Sequence, residues 1–170
     1  LEDFGRPGNY FARQLSRWTK QYQASQTEPV PEMDALMEWL PRTIPTGDET
    51  TLIHGDFHPD QVWFDGERIV LFDFDEFTLG DPMEDLAEFI VKLPDSASSA
   101  RLAARWLAAY AQVAPQHFCR QRRRWHMAVQ QLLQASRAFV FQVADWRTEV
   151  ERRLERAELL ATQAEQEWAA

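Results

Sequence analysis

Residues 54–89 read HGDFHPDQVWFDGERIVLFDFDEFTLGDPMEDLAEF, and this stretch determines the fold that we expect for the chain. Its middle holds two short β-rich runs, Val62-Trp63-Phe64 and Arg68-Ile69-Val70-Leu71-Phe72, separated by the pair Asp65-Gly66. Glycine accepts the positive φ that a tight turn between antiparallel strands demands. The sequence therefore predicts a small antiparallel β-hairpin at the centre of the chain.

Reactive side chains stand on both sides of this hairpin. The segment before it contains His54, Asp56, His58, Asp60 and Gln61, and the segment after it contains Asp73, Asp75 and Glu76. The first segment follows a further β-rich run, Thr51-Leu52-Ile53, and the second follows the second strand of the hairpin. Their carboxylates should therefore meet at one edge, with those of Asp56 and Asp73 within roughly 10 Å. Crowded carboxylates repel one another unless a proton or a cation intervenes, and a divalent metal ion is the simplest resolution.

The spacing of three of these residues matches the chemistry of phosphoryl transfer. That reaction needs a carboxylate to orient the attacking hydroxyl, oxygen ligands for Mg²⁺, and a cradle for the nucleotide phosphates. Asp56 lies in a loop after a strand, the amide of Gln61 follows five residues later, and Asp73 comes one hairpin further on. The same order occurs in the catalytic and metal loops of kinases, so the sequence indicates a kinase-type enzyme.

With Gly80-Asp81-Pro82 and Asp85-Leu86-Ala87 after the hairpin, the stretch resembles the core of the aminoglycoside and choline kinase-type phosphotransferases. The resemblance implies the C-terminal lobe of a protein-kinase-like fold, with ATP as co-substrate. It makes Asp56 the base that faces the acceptor hydroxyl and Asp73 the Mg²⁺ ligand, with Gln61 at a second ligand position where the family usually has asparagine. The remaining expected roles are support or substrate contact for His54, His58 and Asp75, and structural roles for Asp81 and Asp85.

Two upstream segments carry a narrower likeness. Residues 4–14 (FGRPGNYFARQ) and 37–41 (MEWLP) resemble the phosphotransferase domains that are associated with acyl-CoA dehydrogenases. For that branch, the resemblance implies a hydroxyl on an acyl substrate as the phosphate acceptor. The acidity of the chain instead suits a cationic acceptor, so an aminoglycoside, a choline-like compound and a hydroxyacyl compound all stay open.

Apolar residues at helical spacing surround the hairpin on both sides. Two helices are predicted before it, over residues 10–23 and 33–40, and four after it, the first beginning near Asp81-Pro82. The predicted fold class is α+β with helices dominating, in a single domain over residues 1–170.

The nucleotide cradle of a kinase is not evident in this sequence. The six glycines form no glycine-rich loop, and the only lysines, Lys20 and Lys92, fall in predicted helices. The chain also begins at Leu1 rather than at a methionine. We therefore expect a segment whose N-terminal nucleotide-binding lobe lies elsewhere, in cis or on a partner chain, and which is inactive or incomplete alone.

Charge and composition exclude several classes of protein. The 170 residues carry a formal net charge of −9, which disfavours nucleic-acid binding, and they contain no run of apolar residues long enough to span a membrane. A single cysteine, Cys119, excludes internal disulfides and fits a cytoplasmic location. The one basic cluster (Arg120, Arg122, Arg123 and Arg124) is expected on a solvated helix surface, and His117 and His126 are given no role.

Two other functions stay open from the residues alone. His54, Asp56, His58 and Asp73 could together ligate a transition metal in a metal-dependent hydrolase. Alternatively, the chain could be a non-catalytic lobe that binds a ligand or a partner protein. The Gly-Asp-Pro motif at residues 80–82 favours the kinase.

Overall fold

The computed structural model describes residues 10–27, 29–46 and 50–168. Within these ranges the helices are α1 (Tyr10–Ser25), α2 (Pro31–Arg42), α3 (Pro82–Lys92), α4 (Ala97–Val113), α5 (Arg120–Val140) and α6 (Trp146–Trp168). The strands are β1 (Thr51–Ile53), β2 (Val62–Asp65), β3 (Arg68–Leu71) and β4 (Thr78–Gly80), with a 3₁₀ turn at Pro59–Gln61. The predicted α+β class is confirmed. Gly8 and Asn9, residues with which the first predicted helix can start, lie outside the described residues.

Four helices, α1, α2, α5 and α6, enclose the main hydrophobic core. Trp125 on α5 is fully buried there, and Phe11 on α1 meets it edge to face with 5.3 Å between ring centroids. On α6 the buried positions are Leu154, Ala157, Ala161 and Ala164, which repeat at three- and four-residue spacing. The small alanine side chains let α6 lie close against α5, so the apolar pattern of the sequence corresponds to a real packing face.

The short strands form two separate antiparallel pairs. The predicted hairpin is present as β2 and β3, with Asp65 opposite Arg68 and Gly66 at a φ of +63° in the turn. The second pair joins β1 to β4, with Ile53 opposite Thr78. Sequence analysis did not predict β4, because this strand depends on its pairing with β1, which lies 27 residues earlier in the chain.

Helix α3 begins as the sequence indicated. Pro82 occupies the first turn, and Oδ1 of Asp81 accepts a hydrogen bond from the backbone N–H of Met83 at 3.0 Å. Met83, Leu86 and Ala87 are almost fully buried, and the helix packs against α5 and β1. Helix α3 is thereby fixed beside the loop that follows β1.

The expectation of a solvated arginine surface at the start of α5 is wrong for Arg122. Its side chain is only 8% exposed, and Nε lies 3.2 Å from Oδ2 of Asp81. His126, one helical turn later, lies 3.4 Å from the same oxygen, so it has the acidic neighbour that the sequence did not reveal. Neither contact is aligned as a hydrogen bond. Arg122 makes a buried ion-pair contact with Asp81, and the His126 ring lies beside the same carboxylate.

The apolar stripe read from α4 is buried only in part. Trp106 packs against Phe89 with ring centroids 4.3 Å apart, whereas Leu102 is 49% exposed and Val113 is 84% exposed. The helix contacts the rest of the chain along a narrower face than its periodicity predicts. No helix in the described part of the chain combines the length and the apolar character that crossing a membrane requires.

Candidate active site

The loop after β1 is held in place by a carboxylate from α3. Asp85 accepts hydrogen bonds from the backbone N–H groups of His54 at 2.8 Å and Gly55 at 3.0 Å. Burial raises the pKa of Asp85 above its ordinary value, although both N–H groups favour the charged form. Asp81 caps the same helix, so the geometry of both aspartates suits the structural roles expected for them.

Gly55 brings the two polar segments into direct contact. Its φ is +81°, and a Cβ at this position would collide with the backbone carbonyl oxygen of Glu76. Only glycine allows both the left-handed backbone and this close approach. The loop that carries Asp56 therefore touches the segment that follows Asp73.

His54 supports the loop from beneath. It is buried, and its Nε2 lies 2.7 Å from the carbonyl oxygen of Phe72, to which the ring donates a hydrogen bond. Its ring also lies against Phe57 and Phe74, with centroids 5.6 and 5.0 Å away. These contacts link the end of β1 to the end of the hairpin, so His54 joins two loops rather than facing a cavity.

Asp56 is paired with a lysine that sequence analysis did not assign to the site. Nζ of Lys92, the last residue of α3, lies 2.8 Å from Oδ1 of Asp56 and 2.7 Å from Oε1 of Glu88. Burial by itself raises the pKa of Asp56, but the hydrogen bond and charge of Lys92 outweigh it and bring the pKa below its ordinary value. Asp56 is therefore an ionised carboxylate over the neutral pH range.

Glu88 has the opposite electrostatic state. Its side chain is only 7% exposed, and burial raises its pKa to about 8 despite the opposing effect of Lys92. The negative charge of Asp56 adds to the rise. One ammonium thus lies between an ionised carboxylate and a carboxyl group that is mostly protonated at neutral pH, and the three residues together carry little net charge.

A chain of polar contacts runs from Asp56 to Asp73. Nε2 of His58 lies 3.6 Å from Oδ2 of Asp56 and 3.3 Å from Nε2 of Gln61. Nε2 of Gln61 in turn donates to Oδ2 of Asp73 at 3.1 Å. Because these contacts share their atoms, the two carboxylates lie on the same side of the hairpin, within the roughly 10 Å that a shared site allows.

Asp73 and Gln61 present oxygen donors of the kind that Mg²⁺ prefers. Asp73 has a φ of +59°, a left-handed conformation that aspartate tolerates better than most residues, and its side chain is exposed. The amide nitrogen of Gln61 faces Asp73, which leaves the amide oxygen of Gln61 available to a metal ion. The two side chains could hold a magnesium ion between them. Asp75 is exposed and lines a neighbouring cleft with Arg13 and Glu76.

A cavity of about 400 Å³ opens beside Asp56. It lies between the loop after β1, α1, α3 and α5, and Gly55 and Glu88 also line it. Its size suits a small organic molecule, and its position gives that molecule access to the Asp56 carboxylate. The arrangement can therefore hold a small molecule against an ionised carboxylate.

The contribution of Lys92 and Glu88 was missed because it depends on tertiary structure. The two residues stand four apart on a predicted helix, which is the spacing of a helical ion pair and was visible in the sequence. Their approach to Asp56, 36 residues earlier, comes only from the packing of α3 beside the loop.

Comparison with known proteins agrees with this geometry. A model of the phosphotransferase enzyme family matches residues 1–126. The chain belongs to this family. The phosphotransferase is 43% identical over 90 residues to acyl-CoA dehydrogenase family member 10 from Mus musculus, and the alignment covers 51% of the chain but 8% of the mouse protein. The resemblance to the phosphotransferase domains of acyl-CoA dehydrogenases is confirmed, and the matched segment is a small part of that relative.

Solved structures share the fold of the phosphotransferase. A protein from Ralstonia eutropha, assigned to the aminoglycoside phosphotransferases, superimposes with a TM-score of 0.73 at 29% identity, covering 98% of this chain and 58% of that one. A thermostable mutant of aminoglycoside phosphotransferase APH(4)-Ia, solved with ADP and hygromycin B, gives a TM-score of 0.57 at 20% identity, covering 84% of this chain and 47% of that one. The kinase-like C-terminal lobe is thereby confirmed, and this chain spans about half the length of these neighbours.

Proposed function

We propose that this chain is the catalytic-loop lobe of an enzyme that transfers the γ-phosphoryl group of ATP to a hydroxyl on a small molecule. The observation that carries the proposal is the position of Asp56. Its carboxylate is held ionised by Lys92 at the edge of a cavity, and His58 and Gln61 connect it to Asp73. The Asp56 end of this arrangement suits the acceptor, and the Asp73 end suits the phosphates of the nucleotide.

In this proposal Asp56 orients the acceptor hydroxyl and accepts its proton as the oxygen attacks phosphorus. Asp73 and the amide oxygen of Gln61 would hold Mg²⁺, which when bound neutralises negative charge on the phosphates. His58 keeps the two sides in register through its contacts with Asp56 and Gln61. Phosphoryl transfer is catalysed mainly by orientation of the reactants and by electrostatic stabilisation. A correctly positioned carboxylate is therefore a main contribution of the protein to this reaction.

The nucleotide is proposed to lie against the exposed β2–β3 hairpin. Trp63 on one face of the hairpin and Phe64 and Ile69 on the other are 63%, 76% and 64% exposed, an unusual state for three large apolar side chains on one hairpin. A nucleotide-binding lobe, in cis or on a partner chain, would cover these residues and supply the phosphate cradle. The APH(4)-Ia neighbour, solved with ADP and hygromycin B, supports a nucleotide and a small acceptor as the two ligands.

The hydrolase alternative receives no comparable support. Nε2 of His54 is hydrogen-bonded to the carbonyl oxygen of Phe72. Within residues 10–27, 29–46 and 50–168, no three histidine, cysteine, aspartate or glutamate side chains converge as a metal site would require. The ion pair of Asp56 with Lys92 also engages a carboxylate that the hydrolase would need as a ligand.

The proposal is tested in the complete protein that contains this chain by measuring phosphorylation with Mg²⁺ and ATP. Asp56→Asn should lower turnover by at least about a hundredfold with little change in nucleotide affinity, because this group faces the acceptor. Asp73→Asn should weaken Mg²⁺-dependent nucleotide binding together with turnover. Gln61→Asn, which restores the commoner family residue, should be the mildest of the three.

Asp60→Asn is the matched control, since Asp60 belongs to the same loop but its side chain is 95% exposed. It should retain nearly full turnover. Residues 1–170 alone should have little activity, because the proposed phosphate cradle is supplied from elsewhere. Full turnover by Asp56→Asn, or loss of metal and nucleotide binding in Asp56→Asn but not in Asp73→Asn, would contradict the assigned roles.

A further inference from the structure

The cavity beside Asp56 contains two arginines that no other group of the described chain neutralises. Arg17 on α1 and Arg137 on α5 both line it, and both side chains are exposed. Among the described residues, neither guanidinium makes a hydrogen bond or an ion pair. Two free guanidinium groups in one cavity wall are well suited to bind an oxyanion, because each offers planar, paired N–H donors.

The acidic residues of the same wall do not cancel this charge. Asp56 and Glu88 share the ammonium of Lys92, and burial keeps Glu88 mostly protonated at neutral pH. Glu84 is buried at 4% exposure and has an interaction partner of its own. The uncompensated charge of the wall is therefore positive, even though the whole chain carries −9. The local field, rather than the net charge, acts on a molecule inside the cavity.

The remaining wall is partly apolar. Trp18 and Leu133 contribute hydrocarbon surface, and the amides of Gln21 and Gln130 add neutral polar groups. A small molecule with an apolar body can thus lie against this hydrocarbon surface while its polar groups reach Asp56 and the two arginines that line the same cavity. A cationic group beside the arginines would instead meet two like charges.

We propose that the acceptor carries an anionic group, a carboxylate or a phosphate, which Arg17 and Arg137 bind while its hydroxyl faces Asp56. The assignment of the hydroxyl rests on the proposed kinase function, whereas the charge preference of the cavity does not. Of the three acceptor classes that the sequence left open, this wall disfavours the two cationic ones, an aminoglycoside and a choline-like compound.

The test is equilibrium binding of matched probes to the 170-residue chain, without nucleotide, by ligand-observed NMR titration. Four probes share a six-carbon chain and one hydroxyl end: 6-hydroxyhexanoate, 6-hydroxyhexyl phosphate, 1,6-hexanediol and 6-amino-1-hexanol. We expect at least one anionic probe to bind roughly threefold to tenfold more tightly than the diol, and the amine to bind most weakly. Comparing the affinities of 6-hydroxyhexanoate and 6-hydroxyhexyl phosphate shows whether the cavity prefers a carboxylate or a phosphate.

The double variant Arg17→Gln/Arg137→Gln should remove the preference for the anion, while Arg101→Gln/Arg105→Gln on the exposed face of α4 should retain it. This control changes the net charge equally but leaves the cavity intact. Tighter binding of the amine, a preference that survives the Arg17/Arg137 change, or no saturable binding of any probe would overturn the proposal. An anion preference without phosphorylation in the complete protein would instead count against the kinase function alone.

Discussion

Nζ of Lys92 lies 2.8 Å from Oδ1 of Asp56, so the last residue of α3 is ion-paired with the residue best placed to act as the base. The lysine side chain is only 13% exposed and the aspartate 33%. A partly buried pair is screened less than a surface one, so it influences both the orientation and the charge of Asp56. Lys92 therefore acts as a positioning residue for the carboxylate.

Replacing Lys92 by methionine should raise the pKa of Asp56. Lys92 now holds that pKa below its ordinary value against the effect of burial, and without the ammonium the burial effect is opposed only by the smaller effects of Glu88 and His58. Asp56 would then become ionised only at higher pH. Any activity that needs the ionised carboxylate would therefore fall at acidic pH, where the native chain still has it. NMR titration of the ¹³C-labelled aspartate carboxyl group measures the pKa directly.

Lys20→Met provides the control for this titration, because Lys20 is an exposed residue of α1. It should leave the Asp56 titration unchanged. Lys92→Arg should restore a low pKa in part, since it returns the positive charge with a different shape. An Asp56 carboxyl that titrates identically in the native chain and in Lys92→Met would show that Lys92 has no electrostatic effect on it.

Glu88→Gln should stabilise the fold increasingly as the pH rises from about 5 to about 8. The folded-state pKa of Glu88 is raised to about 8, whereas the unfolded chain has an ordinary glutamate, so the folded state binds the extra proton in this range. Stability due to this group therefore falls as pH rises between the two pKa values and is constant outside them. Urea unfolding of both proteins at several pH values measures the difference.

A flat difference between Glu88→Gln and the native chain over that pH range would refute the raised pKa. Glu151→Gln is the control on an exposed position of α6. Its difference curve should vary little with pH, because the side chain at this exposed position is solvated in both the folded and the unfolded state.

Gly55→Ala should destabilise the fold far more than Gly66→Ala. Both glycines have positive φ, but a Cβ at Gly55 would collide with the backbone of Glu76, whereas the space around Gly66 is open. The backbone conformation alone costs about 1 kcal/mol in each variant, and the collision at Gly55 should add about 2 kcal/mol or more. Equal losses in thermal or urea unfolding would show that the loops can separate without cost.

Asp81→Asn should cost about 3 kcal/mol of unfolding free energy, because it removes the charge that faces Arg122 and His126 inside the protein. Asparagine can still cap α3, so Asp81→Ala should lose about 1 kcal/mol more. Asp95→Asn is the matched control, since the Asp95 side chain is 68% exposed where it pairs with Arg152, and should cost under about 1 kcal/mol. Denaturant unfolding separates these values, and a small loss in Asp81→Asn would mean that the buried contacts add no stability.

Much of the fold was predictable because the deciding signals are local. The turn at Asp65-Gly66 and the helix start at Asp81-Pro82 depend on φ preferences and capping within a few residues, and both appear as predicted. Strand β4 escaped prediction, because its pairing with β1 depends on a contact 27 residues away in sequence rather than on its own three residues.

The burial of Arg122 and His126 was not predictable for a related reason. On a helix, arginines are usually solvated, and their sequence neighbours are also charged. Only the packing of α5 against the start of α3 brings Asp81 to them. Sequence periodicity reports which residues share a helix face, but it contains no information about which other element covers that face.

The sequence by itself determined the order of the helices and of the strands other than β4, the family resemblance, and the residues Asp56, Gln61 and Asp73 as the candidate site. These follow from local backbone preferences and from spacings within a single stretch of chain. Tertiary structure alone decided the charge state of that site. Lys92 and Glu88 meet Asp56, and Arg17 and Arg137 line its cavity, because helices distant in sequence pack around one loop, and electrostatic interactions depend on distance in space rather than on separation along the chain.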